Sequence, residues 1–102
     1  MKVAQYCLDK QGATESYPFG PDITVMKVQG KIFALMPAAE EPKTINLKCD
    51  PVRAAWLRQQ YHEIIPGYHM NKQHWNTLDL TGALPDELIY ELIDHSYNLI
   101  KK

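Results

Sequence analysis

Residues 23–36, with the sequence ITVMKVQGKIFALM, contain two apolar, strand-like runs separated by Gln29 and Gly30. A two-residue link between such runs is the usual signal of a tight β-hairpin, because glycine adopts the positive φ that the turn needs. The stretch therefore predicts two antiparallel strands, at 23–28 and 31–36. Lys27 and Lys31 flank the turn, and we expect them to mark a projecting wing.

Residues 44–49, TINLKC, alternate strictly between apolar and polar side chains. Successive side chains of a strand point to opposite faces of the sheet. The pattern predicts a third strand that turns Ile45, Leu47 and Cys49 towards the core. Its other face, which includes Lys48, is expected to be exposed or covered by polar groups.

Three segments are predicted to be helices. The first covers residues 2–11 and ends before Gly12, and the second begins with Asp50 as N-cap and Pro51 at the first helical position and continues to about residue 60. The third begins at Pro85-Asp86-Glu87, where two acids suit the helix dipole. Its apolar stripe is predicted to comprise Leu88, Leu92, Ile93, Tyr97, Leu99 and Ile100.

Residues 64–69 and 74–80 supply two further predicted strands, joined through a turn at Asn71-Lys72-Gln73. The connector at 17–22, YPFGPD, is expected to be rigid and to dock its two rings onto the core. The resulting order is α-β-β-β-α-β-β-α. It predicts a single α+β domain over residues 1–102, with a mainly antiparallel sheet and helices packed on one face.

The composition limits the functions that are open to the chain. Its 102 residues suit one domain, and 11 basic against 12 acidic residues give a net charge of −1. A polyanion would therefore have to bind at a local basic patch. The two cysteines form no C-x-x-C motif and are expected to be buried thiols in a reducing cytosol. We expect a cytoplasmic protein, without a membrane span and monomeric.

Residues 67–77, GYHMNKQHWNT, concentrate histidine, lysine, asparagine and two large aromatic side chains. Such a run is poorly suited to a buried core, because every buried polar group needs a hydrogen-bond partner. It is also poorly suited to a disordered linker, because the aromatic rings are costly to leave in water. We interpret it as a surface patch that is held in place by its aromatic residues.

Six motifs together resemble the MmcQ/YjbR family, in the order of the family and over about residues 12–100. They are YPFGPD at 17–22, KIFA at 31–34, LKCDP at 47–51, PGYHMNK at 66–72, HWNT at 74–77 and ELIDHSY at 91–97. The resemblance implies a CyaY-like (bacterial frataxin-like) α+β fold and a DNA-binding role through a double wing of strands and loops. The chain departs from the family pattern in its short first helix and at Gln73, where members often carry arginine or lysine.

The predicted DNA contacts are side chains that can reach phosphate, sugar, base edges or a base face. They comprise Lys27, Lys31, Lys48, His69, Asn71, Lys72, His74, Trp75 and Asn76. Two alternatives stay open. In the first, the side chains have no binding role and serve to stabilise a tight turn, with Asn71 as its cap and Trp75 packed on the core. Alternatively, Tyr17, Tyr68 and Trp75 could line a groove for a protein partner or a small ligand.

Metal binding, a cofactor and catalysis are not expected. The four histidines form no zinc motif, and a first helix with Asp9 as its single acid lacks the acidic ridge that iron binding would need. No nucleophile elbow, P-loop or dinucleotide fingerprint is present. Asp94 and His95 are neighbours on a helix and do not face each other, so they are expected to bond loop backbone instead.

Overall fold

The hairpin of residues 23–37 lies within a six-stranded antiparallel sheet in the computed structural model, which describes residues 2–67 and 71–101. The strand order is β1-β2-β3-β4-β6-β5. The elements are α1 (Val3–Leu8), β1 (Ala13–Ser16), β2 (Ile23–Val28), β3 (Lys31–Pro37), β4 (Thr44–Lys48), α2 (Pro51–Gln60), β5 (Ile64–Pro66), β6 (Trp75–Asp79) and α3 (Asp86–Ile100). No helix of this described part is long and apolar enough to cross a membrane.

The predicted hairpin is confirmed. Gln29 and Gly30 both have positive φ, at 54° and 76°, as a two-residue turn of this kind requires. The register shifts between Met26 and Lys27, since Met26 pairs with Ala34 and Lys27 with Ile32. Phe33 is the extra residue of this bulge, and its ring is fully buried.

The α+β class and the antiparallel sheet are confirmed, but one strand was missed. β1 pairs with β2 at the edge of the sheet, and its sequence ATES has no apolar alternation to reveal it. α1 ends at Leu8, three residues before the expected end. The strand predicted at 64–69 is observed at Ile64–Pro66, and its last two residues lie outside the described part of the chain.

The expected docking of the connector's rings is wrong. Tyr17 is 46% exposed and Phe19 is 61% exposed. Their segment turns on itself, with the Gly20 amide donating to the Tyr17 carbonyl at 3.2 Å. It follows an edge strand, so the rings lie where the sheet supplies little apolar surface to cover them.

The three helices pack on one face of the sheet, because their buried residues belong to one core cluster that also holds Phe33, Ile45 and Leu78. Ile45, Leu47 and Cys49 are buried as expected. The opposite face carries Asn46, Lys48, Trp75 and Thr77. Within the described residues the helices leave this second face uncovered, and we refer to it as the helix-free face.

α3 packs across β3 and β4 on a face that differs from the prediction in detail. Ile89 is buried instead of Leu88, and Leu99 is half-buried. Ser96 is fully buried among these apolar residues. Its hydroxyl donates to the Phe33 carbonyl at 2.6 Å and accepts from the Lys48 amide at 3.0 Å. Both partners are backbone groups near the bulge, so Ser96 joins the helix to two strands.

Candidate functional site

The turn that precedes β6 is organised by Asn71. Its side-chain Oδ1 accepts from the Gln73 amide at 2.9 Å, and its carbonyl accepts from the amides of His74 and Trp75 at 3.2 and 3.0 Å. A side-chain bond to the backbone two residues on is the Asx turn that asparagine favours. The predicted turn at Asn71-Lys72-Gln73 is therefore confirmed. Tyr68 and the predicted contact His69 lie outside the described residues.

Arg58, on α2, holds this turn against the body of the protein. Its guanidinium donates to the carbonyl of Lys72, to Oδ1 of Asn76 at 2.7 Å and to the carbonyl of Trp75 at 3.5 Å. Arg58 lies within the helix predicted from Asp50 to about residue 60, and no contact was predicted for it. Its role has no sequence signal, because its partners lie 14 to 18 residues away across a loop.

Asn76 is buried, with an exposure of 2%, so we remove it from the set of surface contacts. It pairs with Leu47 across the sheet and therefore shares the core face. Its Oδ1 accepts from Arg58, whereas its Nδ2 has no hydrogen-bond partner among the described residues. Asn76 is thus a structural residue that couples β6 to α2.

Trp75 and Lys48 are direct cross-strand partners on the helix-free face. The Cβ atoms of such a pair are about 4.5–5.5 Å apart, so the side chain of Trp75 begins beside the aliphatic part of Lys48. Both side chains are half-buried. Lys27 lies on the same face of β2, two strands along from β4.

The predicted lysine contacts meet at one end of the sheet. The antiparallel registers place the β2–β3 turn, the end of β4 and the start of β6 at this end. We call it the basic end, defined by Lys27, Lys31, Lys48, Lys72 and the turn at 71–74. Lys31, Asn71 and Lys72 are exposed, and Lys27 and His74 are half-buried.

Acidic residues concentrate at the other end of the same sheet. We call this the acidic end, and it comprises Asp22, Glu40, Glu41, Glu63 and Asp79, with Lys43 as a nearby base. The strands separate the two ends by roughly 16 Å. Although the net charge is only −1, the two ends of the sheet therefore carry opposite charges.

Other bases near the basic end are paired. Arg53 bonds Glu91 at 2.6 Å, and Lys10 forms an ion pair with Asp94. Within residues 2–67 and 71–101, no acidic side chain forms an ion pair with the four lysines of the basic end. Those four charges thus remain available to an anion.

His95 and Asp94 tie α3 to its neighbours in different ways. His95 Nε2 accepts from the Asp50 amide at 3.2 Å, a bond to loop backbone as expected. Asp94 instead accepts from the Tyr6 hydroxyl at 2.8 Å and pairs with Lys10, so the expected backbone bond is wrong for this residue. Burial, followed by the charge of Arg53, lowers the pKa of His95 below its ordinary value.

Neither thiol is poised for nucleophilic chemistry. Burial raises the pKa of Cys7 to about 12 and that of Cys49 to about 11, so both are protonated at neutral pH. The described residues contain no group of three or more His, Cys, Asp or Glu side chains that could hold a metal ion.

A single groove lined by Tyr17 and Trp75 is not formed. Tyr17 follows β1 at the acidic end, and Trp75 begins β6 at the basic end. Four strand steps separate β1 from β6, or roughly 19 Å across the sheet. The binding groove that the sequence suggested would therefore have to use Trp75 without Tyr17.

Comparison with known proteins agrees with this architecture. The YjbR family model matches residues 8–99. The Escherichia coli K12 protein named "Uncharacterized protein YjbR" is 41% identical over 96 residues, covering 94% of this chain and 81% of that protein. "Uncharacterized protein YbdF" of Escherichia coli O157:H7 is 42% identical over 84 residues, covering 82% and 69%.

Two solved structures share the fold. The crystal structure of Deinococcus radiodurans protein DR2400, described with a DUF419 domain, has a TM-score of 0.89 and 37% identity, covering 96% of this chain and 75% of that chain. A crystal structure of a Pseudomonas syringae protein has a TM-score of 0.81 and 30% identity, covering 99% and 100%. The chain therefore belongs to the YjbR family, and these relatives carry no enzymatic name.

Proposed function

We propose that this member of the YjbR family binds DNA weakly through its basic end, without catalysing a reaction. The observation that carries the proposal is the charge separation along the sheet. Lys27, Lys31, Lys48 and Lys72 gather without acidic partners at one end of a molecule whose total charge is −1. A local cluster of this kind attracts phosphates even when the whole protein does not.

The shape of the basic end suits a backbone contact. The β2–β3 turn and the turn at 71–74 are two separate projections from it. Asn71 and Arg58 hold the second turn in one conformation, so Lys72 projects from a fixed backbone. Less conformational freedom is then lost when phosphate binds.

The contact is directed to the phosphate backbone because the arginines near this end are already engaged. Arg53 pairs with Glu91, and Arg58 bonds the turn. Bidentate recognition of guanine, the commonest specific contact in the major groove, needs an available guanidinium. Lysines bind phosphate as point charges and confer little sequence preference.

The test is an anisotropy titration of a labelled DNA duplex at several salt concentrations. With about three phosphates neutralised, log K against log salt should have a slope near −3. Absence of saturable binding at about 50 mM salt, or a flat response to salt, contradicts the proposal.

Lys72→Glu should reduce the magnitude of that slope by about one and weaken binding. Lys43→Glu is the matched control, because it makes the same change in charge on an exposed lysine at the acidic end. Equal losses in the two variants would show a general charge effect and would reject the basic end as the contact.

A protein partner is the second candidate function. Val52 and Trp56 are one helical turn apart on α2 and are 80% and 54% exposed. A pulldown after nuclease treatment tests it with Trp56→Gln as the comparison. A partner that the native protein retains and the variant loses would favour this function.

A further inference from the structure

The helix-free face at the basic end combines an aromatic ring with cationic side chains on neighbouring strands. Trp75 pairs directly with Lys48, and Lys27 lies on the same face of β2. Lys72 lies in the adjoining turn, three residues before the indole. Proteins that bind single-stranded nucleic acids combine aromatic rings and basic side chains in this way. The bases stack on the rings, and the basic side chains neutralise the phosphates.

Gly67 lets β5 come close to the backbone and Cβ of Trp75. Its amide donates to the Trp75 carbonyl at 2.8 Å, and a β-carbon at position 67 would lie 2.9 Å from Trp75 Cβ. Gly67 is buried although it extends β5 at the edge of the sheet. Position 67 therefore has no room for a side chain beside Trp75.

Trp75 remains partly exposed in this arrangement. We propose that this surface of the indole stacks on one unpaired base, while Lys48, Lys72 and Lys27 contact the flanking phosphates. The inference rests on the proposed DNA-binding function and narrows the ligand to single-stranded nucleic acid.

The stacking surface distinguishes single strands from a duplex. In a duplex the base faces are already stacked on each other, and only their edges are open in the grooves. A ring on a sheet face therefore finds a base face to stack on only where bases are unpaired. The lysines alone would bind both forms through phosphate.

The experiment uses the full chain with Trp56→Phe, so that Trp75 is the remaining tryptophan and its fluorescence reports on the site. Trp56 is 54% exposed on α2, so the replacement leaves the core intact. Three probes are titrated at equal salt: an oligothymidine of about 15 nucleotides, a hairpin duplex with a similar number of phosphates, and an abasic strand of the same length.

We expect saturable quenching by oligothymidine and affinity about tenfold higher than for the duplex or the abasic strand, as one stacked base contributes. Trp75→Leu should remove the higher affinity for oligothymidine and leave the salt-dependent binding that the lysines contribute. The comparison of probes on the Trp56→Phe protein decides the matter even if the Trp75 variant does not fold.

Equal or tighter binding of the duplex overturns the preference for single strands, and equal or tighter binding of the abasic strand overturns base stacking. Either result leaves the proposed DNA-binding function standing. Binding of oligothymidine without a change in Trp75 fluorescence overturns the stacking role as well. Failure of all three probes to bind at about 50 mM salt rejects both the inference and the proposed function. An oligouridine of equal length, titrated beside the oligothymidine, shows whether the preferred single strand is DNA or RNA.

Discussion

The basic and acidic ends of the sheet both carry aromatic residues in connecting segments, but they hold them differently. At the basic end, Trp75 is half-buried, and its backbone is bonded by Asn71, Gly67 and Arg58. At the acidic end, Tyr17 and Phe19 are 46% and 61% exposed. The difference shows that an aromatic residue is held where long-range hydrogen bonds fix its backbone, and Arg58 of α2 supplies one such bond at the basic end.

Arg58→Met should have the largest effect on this difference. It removes one hydrogen bond to the turn and two to the start of β6, and it leaves the buried Asn76 side chain without its partner. We expect a loss of about 2–3 kcal/mol in the free energy of unfolding, measured by chemical denaturation. Faster hydrogen exchange at the amides of His74 and Trp75 should accompany it.

Arg53→Met is the matched control on the same helix. It removes one exposed ion pair with Glu91 and should cost less than about 1 kcal/mol. Similar losses of unfolding free energy in both variants would mean that Arg58 contributes no more than an exposed ion pair does. Its bonds would then not explain why the aromatic residue at the basic end is the better held.

Gly67→Ala should rank second, because the added β-carbon would lie 2.9 Å from Trp75 Cβ. Overpacking of this kind typically costs about 1–3 kcal/mol. Thermal denaturation, together with near-ultraviolet circular dichroism of the indole, measures the effect. Gly30→Asn is the control: it has open space and a φ of 76° that asparagine tolerates, so its cost should be smaller.

The two ends should lose stability in different pH ranges. Burial lowers the pKa of His95, a residue of α3 that accepts from the Asp50 amide at the start of α2. The unfolded chain therefore takes up the proton first as the pH falls below about 6.5. Hydrogen bonds from the Thr81 side chain and amide lower the pKa of Asp79 at the acidic end. Its contribution is present at neutral pH and should be lost below about pH 4.

Denaturation midpoints measured from about pH 7 to pH 3 test this separation. His95→Gln should flatten the dependence on pH just below about 6.5, and Asp79→Asn should flatten it below about 4. A variant that alters the opposite range would show that the two groups are not independent.

Glu40→Gln should have the smallest effect, and it concerns binding. Glu40 is exposed at the acidic end, farther from the basic end than the Debye length of about 8 Å at physiological salt. At physiological salt, the replacement should therefore change the affinity for DNA by less than about twofold. The affinity should rise only at low salt. A large gain at physiological salt would show that DNA reaches across the whole sheet.

Local sequence signals predicted those parts of the fold whose partners are close in the chain. Gln29-Gly30 specified the hairpin turn, and Asp50-Pro51 specified the start of α2, where the Asp50 carboxylate accepts from the Arg53 amide at 3.1 Å. The alternation in residues 44–49 predicted the buried face of β4. In each case the deciding interaction spans only a few residues.

The candidate site was only partly predictable for the same reason. The lysines and Asn71 are surface residues whose chemistry is evident from their type. The exclusion of Asn76 depends on its cross-strand pairing with Leu47 and on Arg58, neither of which is local. β1 was missed because its pairing with β2, not its own pattern, makes it a strand.

The sequence by itself determined the family, the hairpin, the helix starts and the polar-aromatic character of residues 67–77. Only the tertiary structure decided that four of the lysines gather at one end of the sheet and five of the acidic residues at the other. It also decided that Trp75 is supported where Tyr17 and Phe19 are exposed. The physical reason is that charge separation and burial depend on strand order and on long-range packing, whereas capping and turn formation depend on neighbours along the chain.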